Sequence, residues 1–149
     1  MISIIFKAIT HGSSEYIPAI QLSEGILRTP LGLTFSREEL EKEKEYIQIA
    51  GLRSDEVIAT AALVSEGESL KMRRVVVRND LQKQGVVSAM LYFCEEYALK
   101  NKFKEIYCHA RDVAIPFYIK NHYIPEENYF DEDTLVHLKL RKILVPHKR

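Results

Sequence analysis

The chain has 149 residues, enough for one compact domain, and 46% of them are apolar, enough for a sizeable core. Its 21 basic residues balance 21 acidic ones, so the net charge is zero, which argues against holding nucleic acid by bulk electrostatics. Two cysteines, Cys94 and Cys108, are too few for a disulfide framework and lack C-x-x-C spacing, so they read as reduced core thiols of a cytoplasmic protein.

The opening "MISIIFKAITHG" lacks a basic start and a small-residue cleavage site, so Ile2–Ile9 reads as a first strand and not as a signal peptide. No apolar run approaches the ~18 residues of a membrane span. "HGSSEYIPAIQLSEGILR" predicts a helix capped by Ser13 or Ser14, with Pro18 in its first turns. Tyr16, Ile20, Ser23 and Leu27 mark one face of it, with Ile26 beside them. Pro30 and Gly32 break the pattern. Ser36 and Glu39 then have the spacing of a capping box and open a short, charged second helix.

The period then changes to two. "YIQIAGL", "EVIATAALV" and Leu70–Arg78 predict an antiparallel meander, with Gly51 and "RSD" in the first turn and "SEGES" in the second. "QGVVSAMLYFCEEYALKNK" is the strongest helical pattern. Its apolar stripe contains Val87, Met90, Leu91, Cys94, Tyr97 and Ala98. Glu105–Ala110 predicts a buried strand, "VAIPFYIKN" a short helix despite Pro116, and "LVHLKLRKI" a closing strand. The acidic "YIPEENYFDEDT" reads as a loop with a strand near Asn128–Phe130, and residues from Pro146 onward are expected to fray. No linker or repeat interrupts residues 1–149, so the expectation is a single α+β domain.

Two stretches carry chemistry. In "RNDLQKQGVVSAML", Gly85 stands between a strand and a long helix. The first N–H groups of a helix lack internal partners and favour anions, and a glycine lets a phosphate approach closely. The turn is therefore either an ordinary helix start or a phosphate cradle. No G-K-[ST] and no G-x-G-x-x-G accompanies it, which argues against a nucleotide-triphosphate loop and a dinucleotide domain. In "AIPFYIKNHY", Ala114, Phe117 and Tyr118 have helical spacing. They form either a core stripe or the setting of a proton-donating tyrosine. His109, His122 and His137 lack the local spacing of a zinc site, so no metal is expected.

Together the two stretches resemble the GNAT superfamily of N-acetyltransferases. The family pattern V-x-x-x-x-[QR]-x-x-G-x-[GA] is met by Val77, Gln82 and Gly85, with Val87 in the last, usually small, place. Lys83 stands where many members have another glycine. The pattern A-x-x-F/L-Y-x-K-x-G-F/Y is met by Ala114, Phe117, Tyr118, Lys120 and Tyr123, with His122 where glycine is usual. "HARD", the acidic run and His137 extend the likeness to a branch called ElaA- or YjcF-like.

The resemblance implies an acyl-CoA N-acyltransferase fold, with a central, mostly antiparallel mixed sheet flanked by about four helices. It implies acetyl transfer from acetyl-CoA, the co-substrate, directly to a primary amine of a small molecule or peptide. The strand residues Val75, Val76 and Val77 would meet the pantetheine arm through backbone groups of Val75 and Val77. Gln82, Lys83, Gln84, Gly85, Val86, Val87 and Ser88 would hold the pyrophosphate. Arg111 occupies the position of an asparagine at the coenzyme arm, and Phe117 would pack against the coenzyme. Tyr118 is the expected acid, since a phenol of pKa ~10 is protonated at neutral pH. His137 and His109 are candidate bases, and Glu132 and Asp133 could instead attract a cationic substrate or relay its proton. Neither nucleic acid nor membrane is an expected partner, and many relatives pair as homodimers. Val87 and His122 motivate an alternative, a catalytically weak CoA-binding regulatory or interaction domain of the same fold.

Overall fold

The computed structural model describes residues 3–126, 128–132 and 135–146. Among these, eight strands and four α-helices follow in the order β1 (Ile5–Ile9), α1 (Tyr16–Leu27), α2 (Arg37–Lys42), β2 (Ile47–Arg53), β3 (Glu56–Glu66), β4 (Ser69–Val77), α3 (Val86–Lys100), β5 (Glu105–Arg111), α4 (Ile115–Lys120), β6 (Ile124–Pro125), β7 (Phe130–Glu132) and β8 (Leu135–Ile143). The strands form a sheet in the order β1-β2-β3-β4-β5-β8-β6, with β7 also on β8. β4 and β5 run parallel, from Ser69↔Glu105 to Met72↔Cys108. The β1–β2, β2–β3, β5–β8, β6–β8 and β7–β8 pairs are antiparallel. This is the mixed α+β sheet expected from the sequence. α3 supplies the long crossover that a parallel pair requires.

Contacts divide the chain into two compact units. One contains the residues up to Val64 with Arg74–Cys94, the other Ser65–Arg73 with the residues from Glu95 onward. In the first, Ile49, Ile58, Leu63, Met90 and Leu91 are almost wholly buried. In the second, Leu70, Met72, Ile106, Cys108 and Leu140 take that part.

Several local expectations change. Glu15, without a side-chain cap bond, precedes α1. Ser13 closes a turn onto the Thr10 carbonyl, and Ser14 donates to Glu15. Both serines are thus consumed one turn early. Gly51 lies inside β2, paired with Ala59, because a Cβ there would come within 2.8 Å of the Phe6 ring. The reversal is made by Ser54 and Asp55 alone, at φ 50° and 66°. Val86, not Val87, heads the buried row of α3. A two-residue strand, β6, adds to the seven expected. Ile2 and the residues after Pro146 lie outside the described residues.

Ser36 caps α2 as expected, accepting from the Glu39 amide at 3.0 Å. The Glu39 side chain does not return the bond. It joins an ion-pair network instead, with Arg28 at 2.8 Å and Arg74 at 3.1 Å. Arg74 also holds Glu43 in a two-pronged contact, with 7% and 9% of the two side chains exposed. The Phe35 ring lies 4.3 Å from the Arg74 guanidinium and 4.7 Å from that of Arg28. Arg74 adopts φ 53° within β4, a conformation that costs an L-residue about 1–2 kcal/mol.

Removing Arg74 takes both of its charged hydrogen bonds away from the buried Glu43 carboxylate. Arg74→Ala should therefore lower unfolding free energy by about 3–5 kcal/mol in denaturant titrations. Arg74→Gly should lose about 1 kcal/mol less, because it relieves the left-handed backbone. The Arg28 hydrogen bond, opposed by burial and helped by the charges of Arg28 and Arg74, holds the Glu39 carboxyl below its ordinary range. Its stabilisation is complete above the unfolded pKa of ~4.3 and is lost as pH falls through the lower folded value. Acid should then reduce the melting temperature more in the wild type than in Glu39→Gln.

Candidate active site

The predicted phosphate turn lies in the N-terminal unit and has a defined shape. After β4 the chain makes a 3-10 turn at Asn79–Leu81. The Gln82 amide donates to the Val77 carbonyl and to Asn79 Oδ1, both at 3.1 Å. The Gln84 amide donates to the Asp80 carbonyl at 3.3 Å. These two side chains fix the loop by binding its own backbone, a role that the motif alone does not reveal. Lys83 and Gly85 both take left-handed backbone, at φ 64° and 79°.

A Cβ built on Gly85 would meet nothing within 4 Å. Packing therefore does not exclude a side chain there. What requires glycine is the backbone angle, and the space beside it is open to a ligand. The first helical bond of α3 runs from the Ala89 amide to the Gly85 carbonyl at 3.1 Å. The amides of Gly85, Val86, Val87 and Ser88 thus precede any i→i−4 bond, the arrangement that attracts an anion. Val86 is buried, Val87 and Ser88 are half-buried, and Gln82 to Gly85 are exposed. Upstream, Val76 and Val77 are buried in the core and Val75 is half-buried. These groups fit a coenzyme pyrophosphate: donors, a fixed loop and open space beside Gly85.

The C-terminal unit holds Arg111, Phe117, Tyr118 and His137. Arg111 ends β5 and pairs with His137 across β8. Phe117 and Tyr118 sit on α4 with ring centroids 5.4 Å apart, and Tyr118 meets Tyr123 at 5.5 Å. Tyr118 is buried, as the core-stripe alternative predicts, yet its hydroxyl hydrogen-bonds the Cys108 thiol. Burial pushes that thiol up to about 12, with the Tyr118 bond pulling the other way.

His122 stands at φ 73° just past α4. Its amide bonds the Ile119 carbonyl and the Tyr123 amide bonds the Tyr118 carbonyl, each at 3.0 Å. This is the helix stop that normally employs glycine. His122 therefore takes, at the place where the family pattern usually has glycine, a left-handed backbone that glycine would adopt freely.

His109 and His137 converge on one carboxylate. His109 Nδ1 lies 3.1 Å from Glu132 Oε1, and His137 Nε2 lies 3.7 Å from Glu132 Oε2. Burial pushes the Glu132 carboxyl up, but the His109 hydrogen bond and the charges of His109, His137 and Lys71 outweigh it and leave it below its ordinary value. Asp133, the other acidic candidate, lies outside the described residues. Sequence spacing offers no sign that one carboxylate serves both imidazoles.

No curated protein sequence matches the chain. Among solved structures, a Lactobacillus plantarum protein described as a candidate N-acetyltransferase superposes with a TM-score of 0.83 at 21% identity, covering 97% of this chain and 99% of that one. Escherichia coli ElaA gives 0.79 at 19% identity, with 94% and 99% covered. A GNAT family acetyltransferase of Elizabethkingia anophelis with acetyl-CoA bound gives 0.73 at 14%, with 95% and 98% covered. These likenesses show the fold. The sequence model of the acetyltransferase (GNAT) family, whose co-substrate is acetyl-CoA, matches residues 17–123, and the chain belongs to that family.

Proposed function

We propose that the protein is an N-acetyltransferase that moves an acetyl group from acetyl-CoA directly to a primary amine. The observation that carries this reading is the Gly85 turn, left-handed, open beside its Cα and placed before the first helical bond of α3. Gln82 to Ser88 hold the pyrophosphate, chiefly through backbone amides. Val75, Val76 and Val77 line the pantetheine arm, with Arg111 and Phe117 as further contacts. Lys83 adds a charge near the phosphates. Acetyl-CoA supplies the activated acyl group, and the chain supplies position and proton handling.

Tyr118 is the acid for the departing thiolate. The C-terminal unit has three buried tyrosines. Tyr107 donates to Glu66 and Tyr123 to Glu95, and burial together with those carboxylates raises both phenols. Ionising either would set a phenolate against a carboxylate. Tyr118 instead hydrogen-bonds a neutral thiol, a weak acceptor. His137 is the base. His137, the acidic run before it and "HARD" support a reading as a member of the ElaA- or YjcF-like branch.

Saturating acetyl-CoA should stabilise the protein, by ~2.7 kcal/mol at one hundred times the dissociation constant. An unchanged melting temperature sinks the proposal. Gly85→Val should abolish that stabilisation, because its side chain enters the space left open for the ligand. Tyr118→Phe should retain coenzyme binding and lose roughly 10²-fold or more in kcat on an accepted amine. Full turnover would remove Tyr118 as the acid. Lys83→Gly and His122→Gly should each raise unfolding free energy, by about 0.5–1 kcal/mol, since each relieves a left-handed L-residue.

A further inference from the structure

The two histidines and Glu132 occupy one face of the sheet for a simple reason. β7 pairs with β8 so that Phe130 faces His137 and Glu132 faces Leu135. β8 pairs with β5 so that His137 faces Arg111 and Lys139 faces His109. Side chains alternate along a strand, so Phe130, Glu132, His137 and His109 share a side. Phe130 closes the group, with its ring 4.7 Å from His109 and 6.0 Å from His137.

The hydrogen bonds fix the chemistry of His137. Its Nδ1 lies 2.9 Å from the Leu135 carbonyl, an acceptor only, so Nδ1 carries a proton and donates. In the neutral ring Nε2 is therefore bare, and it is Nε2 that lies 3.7 Å from the Glu132 carboxylate. Two acceptors then face one another. A proton on Nε2 converts that opposition into attraction. His109 Nδ1 meets the other carboxylate oxygen at 3.1 Å and holds Glu132 in place. Lys71 on β4 adds its charge at Glu132, with Arg73 on β4, Glu66 on β3 and Lys139 on β8 around that lysine, and Arg111 on β5 pairs with His137. Lys71 and Lys139 both lie over the Tyr107 ring, at 5.9 and 4.5 Å.

We infer that His137 Nε2 receives a proton from the acceptor while Glu132 and His109 act as positioning residues, and that the acceptor is a primary ammonium carried on an unbranched arm. The inference rests on the acetyltransferase reading and deepens it. In the step, one N–H bond of the ammonium breaks, its electron pair stays on nitrogen, and the proton forms the Nε2–H bond. The new imidazolium is paired by Glu132, and its proton later leaves to water. The unbranched arm follows from access. His137 is only 5% exposed, so a group that reaches Nε2 must be slender.

Long-range proton–nitrogen spectra of the full chain without coenzyme read the tautomer directly. His137 is expected with its proton on Nδ1 and with Nε2 bare. The Glu132 carboxyl titration is expected to move upward in His109→Gln. On an accepted amine, His137→Gln should lose about 10²-fold in kcat. Glu132→Gln should lose less, in kcat more than in KM, with a displaced acid limb of the pH profile that Glu132→Asp partly restores. All variants should keep the acetyl-CoA stabilisation. Unbranched alkylamines should be better acceptors than amines branched beside nitrogen. A proton on Nε2 with Nδ1 bare, unchanged kcat and acid limb in Glu132→Gln, or a preference for branched amines would each overturn the inference. Absent acetyl-CoA stabilisation of the wild type would refute the acetyltransferase reading itself, which the ligand-free spectra separate from failure of the proton site.

Discussion

Period-two alternation along β5 organises the chemistry of the C-terminal unit. Tyr107 and His109 project to one side, Cys108 to the other. On the first side His109 binds Glu132, and Tyr107 binds Glu66 beneath two lysines. On the second, Cys108 meets the Tyr118 hydroxyl. A one-residue slip of β5 against β8 would exchange the two sets and leave His109 in the place of a core thiol. The antiparallel register from Glu105↔Ile143 to Arg111↔His137 prevents it. The proposed base and the proposed acid would thus be held by neighbouring residues of one short strand without competing for the same proton.

The left-handed positions show how the chain departs from its family without departing from the fold. The family pattern has glycine at the position of Gly85, usually at that of His122 and in many members at that of Lys83, and all three have positive φ here. Only Gly85 keeps the residue that tolerates the angle freely. At Lys83 and His122 the backbone is retained and the strain accepted, which is feasible because the surrounding hydrogen bonds over-determine it. Gln82 and Gln84 brace the first, and the Ile119 and Tyr118 carbonyls brace the second. Arg74 has the same angle inside β4, held by Glu43 and Glu39.

Much of this was legible in the sequence, and the misses share a cause. β8 coincides with "LVHLKLRKI", Ser36 caps α2, and Gly85 opens α3, because alternation, caps and glycine act on neighbouring residues. The sharing of Glu132 by His109 and His137 was not legible. It joins β5, β7 and β8, and no spacing rule spans those segments. Arg74 in β4 gave no signal either, since arginine rarely adopts its angle and the Glu43 and Glu39 carboxylates and the Phe35 ring that hold it are distant in the chain. Gly51 was misplaced for a related reason. Its need for glycine comes from Phe6, 45 positions earlier in the chain.

The valines after Gly85 take on a different meaning in this setting. β-Branched residues are modest helix formers, so a pair of them at a helix start looks costly. Yet phosphate donors are useful only if they are already aimed when the ligand arrives, because ordering them on binding would subtract from affinity. Val86 is 5% exposed and locks the first turn of α3 into the core of the N-terminal unit. Its stiff side chain has few rotamers to lose. Val87, half-buried, adds bulk beside the amides without removing any donor, since the donors belong to the backbone. The pair therefore trades helix propensity for a fixed direction of the Gly85–Ser88 amides, the property on which the proposed pyrophosphate binding by this turn would depend.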